Sequence, residues 1–221
     1  MVLQNTLYLY TCLRYNRRMK VGGEMLKSEL LDYLLEEKKG ILKTSDAINA
    51  GVSKSYFLSY VKSAKLEKVA HGIYMAPNTW LDEMYLLQLR LGSAVFSHES
   101  ALYLLNLAER EPLQFTLTIR TGYNNAKLKN EGVKMYFIKP ELFEIGLIEV
   151  QSPAGHILRA YNAERTICDL IRSRSSVEIQ DLNSAIKAYT RQQEKNIPLL
   201  MRYAKKFRVE KILRQYLEVL I

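Results

Sequence analysis

Thr44-Ser45-Asp46-Ala47-Ile48-Asn49-Ala50 runs directly into Gly51-Val52-Ser53, and a longer amphipathic segment follows from Lys54 to about Ala64. This order constrains the fold more than any other feature of the chain. Thr44 is placed to cap a helix of barely two turns, and Gly51 to end it in the left-handed conformation that a residue without Cβ adopts at no steric cost. Ser53 then supplies the cap of the next helix. A short helix, a tight glycine turn and a longer helix make a helix-turn-helix.

The flanking segments complete a small domain. Leu26, Leu30, Leu31, Leu34 and Leu35 fall on one helical face, which predicts a first helix from about Glu24 to Lys38 with Gly40 as its stop. Placed at 100° per residue, Phe57, Leu58 and Val61 of the third helix face inward, while Ser55, Ser59 and Lys62 form the opposite stripe with Lys54 and Tyr56 beside it. After that helix, Leu66 to Ala70, His71-Gly72 and Ile73 to Met75 read as strand, tight turn and strand, a hairpin in the position of a wing. Residues 24–77 are therefore expected to form a winged helix-turn-helix.

Charge says what such a unit would meet. The 221-residue chain carries 32 Lys and Arg against 23 Asp and Glu, and the net charge of +9 favours a polyanionic partner through counterion release. DNA, RNA and anionic membrane all satisfy that requirement. Within the motif, Lys38, Lys39, Lys43, Lys54, Lys62, Lys65 and Lys68 are opposed between them by Asp46 and Glu67 alone. Small hydroxyls admit close approach to base edges, and lysines neutralise phosphates, so the third helix is a candidate major-groove face. The bland alternative is a three-helix interaction module whose lysines merely solvate its surface.

Residues 1–23 are expected to be a poorly ordered extension or a start-site artefact, with Met1, Met19 and Met25 as the possible starts. Their apolar run Leu7 to Leu13 precedes Arg14, Arg17, Arg18 and Lys20, the reverse of a signal peptide, and no stretch approaches the ~20 apolar residues of a membrane span. Cys12 and Cys168 are far apart and lack a C-x-x-C companion, which points to neither a disulfide framework nor a zinc site. A cytoplasmic protein without membrane contact is expected.

Past Pro77 the texture changes, and residues 78–221 are expected to form a mixed α+β domain with a small sheet and a helical tail. Trp80 to Arg90 and Glu99 to Leu107 read as helices, the second capped by Ser97 or His98. Strands are expected at 115–120, 134–138, 147–151 and 157–161, broken at Gly122-Tyr123-Asn124-Asn125, Lys139-Pro140 and Pro153-Ala154-Gly155. Four tail helices follow at 163–172, 179–190, 197–207 and 209–220. They carry a second cationic cluster, including Lys187, Arg191, Arg202, Lys205, Lys206 and Arg208, which is either a polyanion contact or the wet side of packed helices.

Catalytic signatures are thin. His71 sits in the hairpin turn, His156 begins a strand without a second metal ligand, and His98 in Ser97-His98-Glu99-Ser100 is better explained by capping than as a triad fragment. Gly22-Gly23 is too short to cradle phosphate, and neither a P-loop nor a G-x-G-x-x-G occurs. Arg165 and Asp169 stand at i, i+4 and read as a surface ion pair. No enzyme activity, no cofactor and no metal are expected.

Three segments taken together resemble the AbiEi family of antitoxins from type IV toxin-antitoxin and phage abortive-infection systems. They are the helix-turn-helix with Leu66-Glu67-Lys68-Val69-Ala70-His71-Gly72-Ile73-Tyr74, Ser97-His98-Glu99-Ser100-Ala101-Leu102, and Tyr161-Asn162-Ala163-Glu164-Arg165-Thr166-Ile167-Cys168-Asp169-Leu170. The resemblance implies an N-terminal domain that represses its own operon at promoter inverted repeats, and a C-terminal domain that neutralises a nucleotidyltransferase-like toxin without a stable complex. It implies DNA contacts at Ser53, Lys54, Ser55, Tyr56, Ser59 and Lys62 and, in the wing, at Lys65, Lys68 and His71. A monomer occupying paired sites on double-stranded DNA is expected. The alternatives are an enzyme that modifies the toxin or its target through the C-terminal domain, or an RNA-binding or scaffold protein.

Overall fold

Leu31 and Leu34 are sealed against Phe57 and Val61, so the first helix and the third share one apolar core. The computed structural model describes residues 26–108, 110–122 and 132–220. The expected N-terminal extension, both early glycines, Cys12 and most of the turn at 122–125 lie outside the described residues. The chain divides between Trp80 and Leu81 into two compact units.

The N-terminal unit runs α1 (Lys27–Glu37), β1 (Ile41–Lys43), α2 (Thr44–Asn49), α3 (Lys54–Ser63), β2 (Glu67–Ala70) and β3 (Ile73–Met75). The strands form an antiparallel sheet in the order β1-β3-β2. Gly40 ends α1 at φ +85°, with the Thr79 side chain standing where its Cβ would be, so both backbone and space demand glycine. Phe57 meets Tyr74 edge-to-face, which joins α3 to the sheet.

Two expectations fail here. Thr44 does not cap α2. Lys43 holds that position and Thr44 is the first helical residue, its backbone N–H donating to the Gly72 carbonyl at 2.8 Å and its hydroxyl to the same oxygen at 3.3 Å. The inward set of α3 is Phe57, Tyr60 and Val61, whereas Leu58 is 37% exposed. Tyr60 takes the inward position because its hydroxyl donates to Asp32 of α1 at 2.5 Å, satisfying the polar end of a buried ring.

The C-terminal unit runs α4 (Glu83–Arg90), β4 (Val95–Phe96), α5 (His98–Leu104), β5 (Thr116–Arg120), β6 (Lys134–Ile138), α6 (Pro140–Phe143), β7 (Leu147–Gln151), β8 (Ile157–Tyr161), α7 (Ala163–Arg172), α8 (Ile179–Arg191), α9 (Ile197–Lys206) and α10 (Glu210–Leu220). Its mixed five-stranded sheet has the order β6-β5-β4-β8-β7. Alternate residues point to opposite faces. Phe96, Leu117, Ile119, Leu158 and Ala160 pack on one side with Met84 and Leu87 of α4, while Val95, Ile138 and Tyr161 pack on the other with the tail helices.

The first helix of this unit begins at Glu83 rather than Trp80, because the Asp82 carboxylate accepts from the Tyr85 backbone N–H at 3.0 Å and fixes the start; Trp80 is left exposed. The second ends at Leu104. Arg165 and Asp169 do pair, at 2.8 Å, yet they are not on the surface: Arg165 is fully buried, since α7 is enclosed by the sheet and by α9 and α10.

Candidate nucleic-acid interface

Helix α3 owes its start to Ser53, whose hydroxyl oxygen accepts from the Tyr56 backbone N–H at 3.3 Å. That oxygen also lies 3.3 Å from the Ser55 hydroxyl, so two of the proposed contact residues are held together at the helix entrance. Ser53, Lys54, Ser55, Tyr56, Ser59 and Lys62 are all exposed, on the side away from the core. Lys27 lies over the Tyr56 ring at 5.9 Å from its centroid, adding a cation beside the helix.

The hairpin continues this exposed set. Lys65 leaves α3 at φ +54°, Lys68 lies in β2 and His71 occupies the turn, each of them exposed. A register irregularity between Lys68 and Ala70 leaves Val69 without a direct partner on β3 and bends the hairpin there. Among the described residues no carboxylate stands within ion-pair distance of Lys54, Lys62, Lys65 or Lys68. Their charge is directed at solvent, the arrangement that recruits phosphates. All nine residues expected to contact DNA thus belong to one exposed helix and the hairpin after it.

The polar groups of the C-terminal unit are arranged differently. His98, at φ +49°, has Nδ1 3.0 Å from the Ser97 hydroxyl and Nε2 3.1 Å from the Ser173 hydroxyl, and its ring stacks on Tyr136. Thr118 donates to the Ser97 oxygen at 2.8 Å, and Ser100 and Thr116 exchange hydrogen bonds between side chain and backbone. Ser97 does stand at the N-cap of α5, its carbonyl accepting from the Ala101 backbone N–H at 3.2 Å, but its hydroxyl is engaged by His98 and Thr118 instead of the helix; the segment is a buried polar seam between α5 and β5. Burial, then the charges of Lys134, Arg165 and Arg172, push His98 down to about 3. A neutral imidazole with both nitrogens occupied is a structural linker, not a base waiting for a proton.

Two further clusters are buried. Asp82 receives His156 Nδ1 at 2.7 Å and the Ser152 hydroxyl at 2.5 Å on one oxygen while its other oxygen caps α4, so one carboxylate fastens the β7–β8 turn to that helix. Sequence spacing gave no sign of this pair, 74 positions apart. Arg165 donates to the Leu142 and Ile145 carbonyls and lies between the rings of Tyr161 and Phe207, each centroid 4.1 Å away. Burial raises the Asp169 carboxyl to about 6 even beside Arg165, and raises the Cys168 thiol to about 12. Glu164 accepts from the Tyr189 hydroxyl at 3.0 Å, tying α7 to α8.

The second cationic set is exposed throughout: Lys187 and Arg191 on α8, Arg202, Lys205 and Lys206 on α9, and Arg208 at φ +59° before α10. Among the described residues no three His, Cys, Asp or Glu side chains converge to hold a metal ion, and no helix is long and apolar enough to cross a membrane.

Residues 29–77, from within α1 to just past β3, match the family model of transcriptional regulators described as AbiEi antitoxin. The resemblance read from the sequence holds on that segment. In fold, the chain is similar to the crystal structure of the Rv2827c protein from Mycobacterium tuberculosis, at 13% sequence identity and a TM-score of 0.54, covering 80% of this chain and 70% of that one. The likeness is one of mixed α+β architecture alone. A comparison with curated proteins finds no match.

Proposed function

We propose that this chain is a type IV antitoxin whose N-terminal winged helix-turn-helix binds double-stranded promoter DNA at inverted repeats and represses its own operon. Residues 81–221 counteract a nucleotidyltransferase-like toxin without a lasting complex. The observation that carries the DNA-binding half is the exposed face of α3 and its hairpin, where hydroxyls and unpaired lysines occupy a segment matching an antitoxin regulator family. In this reading Lys54, Lys62, Lys65 and Lys68 neutralise phosphates, Ser55 and Ser59 approach base edges, and His71 reaches the backbone from the wing.

Retardation of the upstream promoter fragment tests it. Salt-sensitive, sequence-selective binding by the full chain is the expected result, and retardation of RNA alone would sink it. Lys62→Ala and Lys68→Ala should each weaken binding to all sequences and lower the salt slope by about 1. Ser59→Ala should leave the salt slope unchanged and relax sequence preference.

The exposed cations of α8, α9 and the α9–α10 turn supply a second polyanion contact. Replacing Arg202, Lys205 and Lys206 together by Gln should reduce the salt slope further. An unchanged slope would return them to the role of solvating side chains.

A further inference from the structure

Leu58 stands outside the core of α3 on the same side as the polar residues. At 100° per residue Ser55, Leu58, Ser59 and Lys62 follow the spacing i, i+3, i+4, i+7 and form one stripe, with Ser55, Ser59 and Lys62 opposite Phe57 and Val61 and Leu58 on its edge. Lys54 and Lys62 lie one turn before and one turn after Leu58, and both are exposed. An apolar side chain therefore stands halfway along the helix at the flank of a cationic, hydroxyl-bearing face, where that face meets the core side. Its orientation is fixed, because the Tyr60 hydroxyl bond to Asp32 and the burial of Phe57 set the rotation of the helix.

We infer that Leu58 reads the C5-methyl group of a thymine in the major groove, so that each half-site holds an A·T pair opposite the middle of α3; this rests on the DNA-binding reading above. The lysines on either side match a polyanion, and an apolar protein surface would find one leucine among polar neighbours. Of the base edges a helix meets in the major groove, only thymine offers an apolar group, and leucine has no hydrogen bond to give to the others. Ser55 and Ser59 then supply the polar readout on adjacent base pairs, and Leu58 supplies discrimination that hydroxyls cannot.

The test uses the full chain and its promoter site, with each thymine replaced in turn by deoxyuridine, which keeps the pairing and removes the methyl. One position per half-site should lose affinity about fourfold, the effect of one methyl group. Leu58→Ala should weaken binding to the parent site by a similar factor and become indifferent to deoxyuridine at that position. Lys62→Ala should stay sensitive to it, which separates the methyl contact from phosphate contacts. Leu58→Ala is a surface change, and an unaltered thermal transition shows that it folds.

Retarded DNA with no deoxyuridine-sensitive position, or a Leu58→Ala variant that keeps the parent's sensitivity, overturns the assignment and leaves DNA binding standing. A variant altered in self-association alone, with affinity for DNA intact, also overturns it. Absence of any retardation by the parent chain removes both readings together.

Discussion

In the N-terminal unit Ser55, Ser59, Lys62 and Lys68 stand in solvent around an apolar core, whereas in the C-terminal unit Ser97, His98, Thr116, Arg165 and Asp169 are sealed inside. The difference separates two kinds of sensitivity. A surface residue on α3 can change what the unit binds while leaving its fold intact, because its side chain holds nothing together. A buried polar group in the second unit cannot be removed without stranding its partner.

The largest break in that contrast should come from Arg165→Met. It leaves the Asp169 carboxylate buried without its cation, and the expected loss is about 3–5 kcal/mol in the unfolding of the C-terminal unit. Urea denaturation of the full chain measures it. A loss below about 1 kcal/mol would mean that the enclosed ion pair holds little.

Acid should sharpen the comparison next. His98 is held near 3 in the folded chain against 6.5 when unfolded, so between those values the unfolded state binds more protons. Its contribution to stability is therefore complete above pH 6.5 and is lost as pH falls toward 3, at a slope of at most about 1.4 kcal/mol per pH unit. Asp169 works in the opposite sense. Its raised value of about 6, against 3.8, makes its burial less costly as pH falls through that window. For His98→Asn, the deficit relative to the parent should shrink steadily as pH drops from 7 to 4, in paired unfolding curves. A constant deficit would contradict the buried, neutral imidazole.

Asp82→Ala should cost about 2 kcal/mol, since it removes a helix cap and leaves the Ser152 hydroxyl and His156 imidazole without their acceptor. Thermal unfolding checks this, and Asp82→Asn should recover part of the loss. Smallest is Ser53→Ala in the N-terminal unit, at about 1 kcal/mol through the α3 cap. Because Ser53 is also one of the proposed DNA contacts, the variant's loss of DNA affinity should exceed what the stability change alone accounts for, whereas Ser59→Ala should alter binding with no change in stability.

Much of this architecture was readable from the chain. The segments 116–120, 134–138, 147–151 and 157–161 announce themselves by β-branched and aromatic residues between turn signals, and the tail helices by their periodicity. The two-residue β4 and three-residue β1 are too short to show any period, and their pairing is decided by distant strands.

Leu58 and Tyr60 teach a finer point. On a helical wheel both lie about 80° from the middle of the Phe57–Val61 face, on opposite sides, so amphipathicity cannot choose between them. Hydrophobicity favours leucine, and the carboxylate of Asp32 on another helix decides for tyrosine. Arg165 and Asp169 repeat the lesson. Their spacing fixes the pairing, while enclosure depends on helices that arrive later in the sequence.

Thr44 fastens the beginning of α2 to the Gly72 carbonyl in the hairpin turn through both its backbone and its hydroxyl. These bonds hold the hairpin turn that carries His71 against the start of the helix pair. In the proposed interface, the placement of His71 relative to the helices would then depend in part on Thr44, a residue outside the nine proposed contacts.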